Sequence, residues 1–243
     1  MKRECLAVIA DIRSQPWAIQ PEYLEAIEAI AARAMESDIL KLLSRDGHEA
    51  RFADSRSAVA AVGEHLVGAE LSTVRDGAAV VPVLGPIYPR SNLAVASAGG
   101  TSLDAIMRDF RVAQASERVE RIVLLGDSPG GVVSGLGEAA EAIRASTKPV
   151  TAFVTGVGAS AAYWLLSQAS EIVLDRSAMV GSIGVIASTS RQVNPGQDGR
   201  QSYEIASSGA PLKRPDLDTD EGRAAIQQMV DATEAVFVAD VAA

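Results

Sequence analysis

Pro149–Leu166 reads PVTAFVTGVGASAAYWLL, 18 residues without a charge, and how this stretch folds decides the architecture. Its length lies near the lower limit for a membrane-spanning helix. Yet β-branched residues fill its first half, and Gly156 and Gly158 interrupt its middle. The pattern predicts a buried strand over Val150–Val154, a turn through the two glycines, and a buried helix over Ser160–Gln168. No membrane partner is expected.

The same alternation extends to both sides. Ala79–Leu84 and Arg121–Leu125 read as buried strands and Leu103–Ala115 as an amphipathic helix. A glycine-rich turn then leads into a helix through Ala145. Downstream, Glu171–Leu174 reads as a short strand, Val180–Ala187 and Ser202–Ala206 as extended, Arg191–Arg200 as a loop, and Asp220–Val238 as a helix. Strands alternating with helices of this length indicate a parallel sheet and an α/β fold. Residues 1–75 differ. Leu24, Ile27, Ala31, Ala34 and Met35 follow Pro21 at helical spacing, and a second helical pattern runs from Ala58 to Val67. They are expected to form an N-terminal helical segment ahead of a domain spanning 76–243.

Composition narrows the function classes. The chain has 243 residues, 48% apolar and 22% charged, which suits one main domain with a smaller appendage. A formal net charge of −9 disfavours nucleic acid as a partner, because phosphate binding needs clustered Lys and Arg. Cys5 is the single cysteine, so an intramolecular disulfide is excluded and a reducing compartment is expected. The apolar run LAVIA near the N-terminus is too short for a signal peptide. With no HExxH, Cys/His cluster, GxGxxG or GxxxxGK[ST] spacing, neither a metal nor a cofactor is expected.

Two elements could carry chemistry. Gly126-Asp-Ser-Pro-Gly-Gly131 ends a strand in a glycine-rich turn, which either presents backbone N–H groups to an anion or supplies a tight βα connection. Ser160 stands where a strand turns into a helix. It reads either as an N-cap or as a nucleophile, with the helix dipole and the Ala161 N–H facing an oxyanion. A nucleophilic serine needs a base. His48 and His65, the two histidines, both fall in the N-terminal segment, which disfavours a histidine triad. Four lysines exist, and Lys213, between Pro211 and Pro215, lies beyond the last predicted strand. It reads either as a solvated loop residue or as a base whose pKa is lowered by burial.

Taken together, GGTSLDAIMRDFRVA from Gly99, VLLGDSPGG ending at Gly131, GVGASAAYWL from Gly156, MVGSIGV from Met179 and the region around Lys213 resemble the signal peptide peptidase A-like serine peptidases. Within that family they are most similar to the prohead protease branch of tailed bacteriophages, which PWAIQPEYLEAI from Pro16 also resembles. The resemblance covers about residues 79–240. It implies a ClpP/crotonase-like spiral of ββα units and a Ser/Lys dyad, with Ser160 as nucleophile and Lys213 as base. It also implies that the N–H groups of Gly131 and Ala161 form the oxyanion hole and that Ser182 orients the lysine. Here ASAAYW replaces the Ser-Gly-Gly of the cellular enzymes, and SSGAPLKRPD departs from the family's usual glycine–lysine spacing. Relatives of this branch continue past FVADVA at 237–242, so the domain is expected to be truncated at its C-terminus. The implied role is processing of scaffold and capsid precursors, self-cleavage included, by a homo-oligomer inside a prohead in the host cytoplasm. Two other readings stay open: a catalytically inactive peptidase-like assembly domain, and a crotonase-like acyl-CoA enzyme.

Overall fold

A computed structural model describes residues 16–20, 23–24, 63–90, 100–187 and 215–243. At its centre lie three parallel strands rich in β-branched and aliphatic residues: β4 (Ala78–Leu84), β7 (Arg121–Ser128) and β9 (Val150–Ala159). Ala78–Leu84 runs in register with Arg121–Asp127, and Ile122–Gly126 with Val150–Val154. β2 (Glu64–His65) and β3 (Thr73–Arg75) extend this sheet antiparallel beyond β4. At the other edge β10 (Glu171–Leu174) and β11 (Met179–Gly181) pair with successive parts of β9.

Three helices cover one face. α1 (Leu103–Ala115) is capped by the Ser102 hydroxyl, which accepts from the Ala105 N–H at 3.1 Å. α2 is Leu136–Arg144, and α3 (Ala161–Leu166) follows β9 directly. Ile106 and Phe110 of α1, Ala140 and Ile143 of α2, and Leu165 and Leu166 of α3 close over Val81, Ile122, Leu124, Ala152 and Val154. Burial of these aliphatic side chains, at about 25 cal/mol per Å², is the main force holding the layers together.

A second sheet of short strands, ordered β1-β8-β5-β6, stands at the ends of the central ones. It contains β1 (Trp17–Ile19), β5 (Ile87–Tyr88), β6 (Thr101–Ser102) and β8 (Gly130–Val132). Two of the long strands pass into short ones and then a helix, β4 to β5, β6 and α1, and β7 to β8 and α2, whereas β9 passes directly into α3. This is the α/β spiral of ββα units implied by the sequence resemblance. α4 (Asp220–Ala242) closes the chain.

The N-terminal expectations fare unevenly. Most of the helical periodicity after Pro21 lies outside the described residues, although Tyr23 and Leu24 are helical and donate their N–H groups to the Gln20 carbonyl. The helical pattern expected to reach Val67 is corrected at its end, where Glu64 and His65 form β2 and pair with Val74 and Thr73. Two local features override the helical spacing. Gly68 sits at φ +91°, and Asp76 and Gly77 (φ 48° and 73°) form a two-residue hairpin turn matched to strand twist. Ser202–Ala206 and the Arg191–Arg200 loop lie outside the described residues.

Asp109 ties this hairpin region to α1. Its buried carboxylate accepts from the N–H groups of Glu70, Leu71 and Ser72 at 2.5, 2.8 and 2.8 Å, and from the Ser72 hydroxyl at 2.8 Å. Asp109→Ala would strand these donors, and charge-assisted bonds of this kind are worth more than neutral ones. The expected outcome is a loss of about 3 kcal/mol, read as a lower denaturant midpoint with an unchanged slope.

Candidate functional site

β9 does not turn at its glycines, as the sequence pattern suggested; it runs through both to Ala159. The reason lies in the adjacent strand. Gly126 pairs with Val154 but Ser128 pairs with Gly158, so β9 carries extra residues opposite Asp127. The Asp127 carboxylate accepts from the Val157 N–H at 3.0 Å, and a Cβ at Gly156 would stand 2.5 Å from its Oδ1. Glycine here lies against a carboxylate on the neighbouring strand and does not end β9. The final residues Val157–Ala159 are held instead by Met179–Gly181 of β11. The approach to β11 is fixed by Asp175, which accepts from the Ser177 N–H and hydroxyl at 3.0 and 2.7 Å. Those two bonds, the backbone one foremost, hold its pKa below the usual carboxylate value.

The chain reverses at Ser160, which takes φ 55°, ψ −120°. Its N–H donates to the Gly181 carbonyl at 2.7 Å, and its own carbonyl accepts from the Trp164 N–H at 2.9 Å, closing the first turn of α3. A non-glycine residue in such a conformation costs about 1–3 kcal/mol and persists only where its surroundings impose it. The serine hydroxyl makes no capping hydrogen bond to the helix. The residue is 1% exposed. The Ser160 hydroxyl is thus not spent on capping, and the residue stands at a strained strand-to-helix turn.

The glycine-rich turn lies directly behind it. Gly130 (φ +109°) is packed so closely that a Cβ there would fall 2.9 Å from the Ser160 Cβ and 2.3 Å from the Ala18 carbonyl oxygen. Its N–H donates to the buried Ser128 hydroxyl at 3.2 Å. Gly131 sits between Ala18 of β1 and Ile87 of β5, and a Cβ there would lie 2.0 Å from the Ile87 carbonyl oxygen. Ala161, buried, opens α3, where the first N–H groups have no helical carbonyl to bond. Ser160, Ala161 and the Gly130–Gly131 pair therefore converge where the two sheets meet.

Of the other residues singled out in the sequence, Ser182 is exposed and directly follows Gly181, the backbone partner of Ser160. It too has φ 55°; among the described residues only Asp76, Ser160 and Ser182 combine a side chain with positive φ. Lys213 lies outside the described residues. His65, on β2, is separated from β9 by β3, β4 and β7. Sequence reasoning missed Gly130, Asp127 and the backbone bridge between Trp17 and Ile186, whose two bonds of 2.8 Å join the segment after Ser182 to the small sheet. It also gave no weight to Tyr88, whose ring meets Trp17 edge-on at 6.0 Å. The buried Tyr88 hydroxyl has no hydrogen-bond partner among the described residues, and burial pushes its pKa well above the ordinary phenol value.

Residues 142–195, which contain Ser160 and Ser182, match the model of Peptidase family S49. The chain is 29% identical over 194 residues to the head-tail preconnector protein GP5 of Enterobacteria phage P21, covering 77% of this chain and 38% of that one. It is 29% identical over 176 residues to capsid assembly protease C of Escherichia phage lambda, covering 71% of this chain and 40% of that one. Protease 4 of Haemophilus influenzae is 31% identical over 134 residues, 49% of this chain and 21% of that one. The chain therefore spans about two fifths of the length of the two phage relatives.

Substitution of the two helix-proximal glycines separates site packing from general stability. Gly130→Ala is expected to lower stability by more than about 3 kcal/mol, since strain and backbone overlap add. Gly137→Ala in α2 meets only Val236 Cγ1 at 3.9 Å and is expected to raise stability by about 0.5–1 kcal/mol. Thermal melts of both variants check this, and an unaffected Gly130→Ala would contradict the packing described.

Proposed function

Starting from a chain that carries the Peptidase family S49 segment, we propose that it is a serine endopeptidase with Ser160 as nucleophile and Lys213 as general base. The observation that carries this reading is the state of Ser160: buried, held at positive φ, and without the capping bond that would explain it structurally. Neutral Lys213 takes the hydroxyl proton as the Ser160 oxygen attacks a peptide carbonyl. The N–H groups of Gly131 and Ala161 receive the developing oxyanion. The tetrahedral species collapses to an acyl-enzyme, the lysine returns its proton to the leaving amine, and water repeats the sequence in reverse roles. Ser182 orients the lysine, a role supported by its position one residue beyond the Gly181 carbonyl that holds Ser160. No metal or cofactor takes part in this scheme.

For substrates we propose capsid precursors, a reading supported by the name of the phage lambda relative, a capsid assembly protease; cleavage of scaffold, self-cleavage and a homo-oligomer inside a prohead within the host cell belong to the same proposal. Residues 76–243 form the peptidase domain in this reading, with residues 1–75 as its N-terminal segment. One relative bears the name of a structural preconnector, which favours a second reading as an inactive assembly domain.

The decisive comparison is cleavage of an unfolded generic protein by the native chain and by Ser160→Ala, read by mass spectrometry. Loss of about 10⁴-fold or more in rate is expected for Ser160→Ala and for Lys213→Ala. Cleavage that survives Ser160→Ala removes the nucleophile assignment. A native chain without any cleavage favours the assembly domain.

A further inference from the structure

α4 buries only Gly222 and Phe237 along its 23 residues, yet its last turn is held by an elaborate set of bonds. Asp240 Oδ2 accepts from the Trp164 indole N–H at 2.8 Å, and Oδ1 accepts from Arg144 Nη1 and Nη2 at 3.3 and 3.2 Å. The Asp240 carbonyl accepts from Gln168 Nε2 at 3.0 Å, while Gln168 Oε1 accepts from Arg144 Nη1 at 2.9 Å. One turn earlier, Phe237 stacks on Trp164 with ring centres 4.5 Å apart and planes 4° from parallel.

The helices joined in this way begin at the two halves of the site. Arg144 ends α2, which follows the Gly130–Val132 strand; Trp164 and Gln168 belong to α3 and its C-terminal end, and α3 follows Ser160. Trp164 is also the residue whose backbone N–H bonds the Ser160 carbonyl. A six-residue helix has no stability of its own, and a strained turn at one end relaxes unless the other end is fixed.

We propose that Asp240 is a positioning residue for Ser160: by clamping Trp164 and Arg144 to one carboxylate, the last turn of α4 sets the serine turn against the Gly130–Gly131 strand. The inference rests on Ser160 being the nucleophile. Phe237 supplies the apolar part of the clamp and Asp240 the directional part. A salt bridge with one partner 38% exposed adds little to stability by itself, so the expected effect falls on geometry more than on melting.

The test is covalent labelling of the purified chain with a fluorophosphonate, in which the Ser160 oxygen displaces fluoride from phosphorus and the hydroxyl proton passes to the base. Maximal labelling rate and half-saturating reagent concentration are measured separately, below the melting transition of each variant. Asp240→Ala is expected to lower the maximal rate by about ten- to a hundredfold, the scale on which small misplacements act, with the half-saturating concentration nearly unchanged. Asp240→Asn, which keeps an acceptor for the indole, should fall between it and the native chain. Asp231→Ala, on the exposed side of the same helix, should label at the native rate. Native-rate labelling of Asp240→Ala overturns the proposal whatever happens to its melting temperature. Should Asp240→Ala not fold, Trp164→Phe decides: it keeps the stack and loses the indole N–H, and a native rate there overturns the proposal equally. A native chain that takes no label at Ser160 overturns instead the nucleophile assignment on which the inference rests.

Discussion

The bond from the Ser160 N–H to the Gly181 carbonyl is the constraint on which the site depends. β9 ends at Ala159 with β7 on one side and β11 on the other, and a chain leaving a central strand has few ways to turn into a covering helix. Ser160 turns it within one residue by taking φ 55°. That conformation is tolerated because it is enclosed. Gly181 holds its N–H, Trp164 holds its carbonyl, and Gly130 abuts its Cβ. The small residues around it follow from the same demand. Ala159, Ala161 and Ala162 are all buried, and larger side chains at these positions would press on the two sheets where they meet.

Much of the central sheet was legible in the sequence. The bounds predicted for α1 and β10 match the structure, and β4 differs by one residue, because long periodic runs with clear caps report their own folding. The small sheet was not legible. Its strands have two or three residues, and partners such as Trp17 and Val132 lie far apart in sequence, so no local pattern announces the pairing. The glycines of β9 misled for a related reason. Gly156 lies opposite Asp127 on the neighbouring strand, and a glycine inside a strand looks in sequence like a turn.

The site divides the same way. Ser160 stood out at its strand–helix junction, but that its hydroxyl makes no capping bond and its backbone is strained rests on a dihedral and a hydrogen-bond pattern, neither of which a sequence contains. Gly131, expected in a βα turn, lies instead in the short strand β8. That Gly130 is the residue against the serine depends on how β8 enters the small sheet beside Ala18 and Ile19.

These observations also account for the separation of roles within one glycine-rich segment. Ser128 accepts the Gly130 N–H and so orients the peptide that follows. Gly130 supplies the close approach to Ser160, and Gly131 the close approach to Ile87. Both glycines abut a backbone carbonyl of the small sheet, Ala18 for Gly130 and Ile87 for Gly131, and Gly130 alone also abuts the Ser160 side chain. Rigidity here has a chemical consequence. An oxyanion site built from backbone N–H groups stabilises charge only if its dipoles already point the right way before charge develops. In the mechanism proposed above, fixing each peptide by a separate neighbour is how a short turn of small residues meets that requirement.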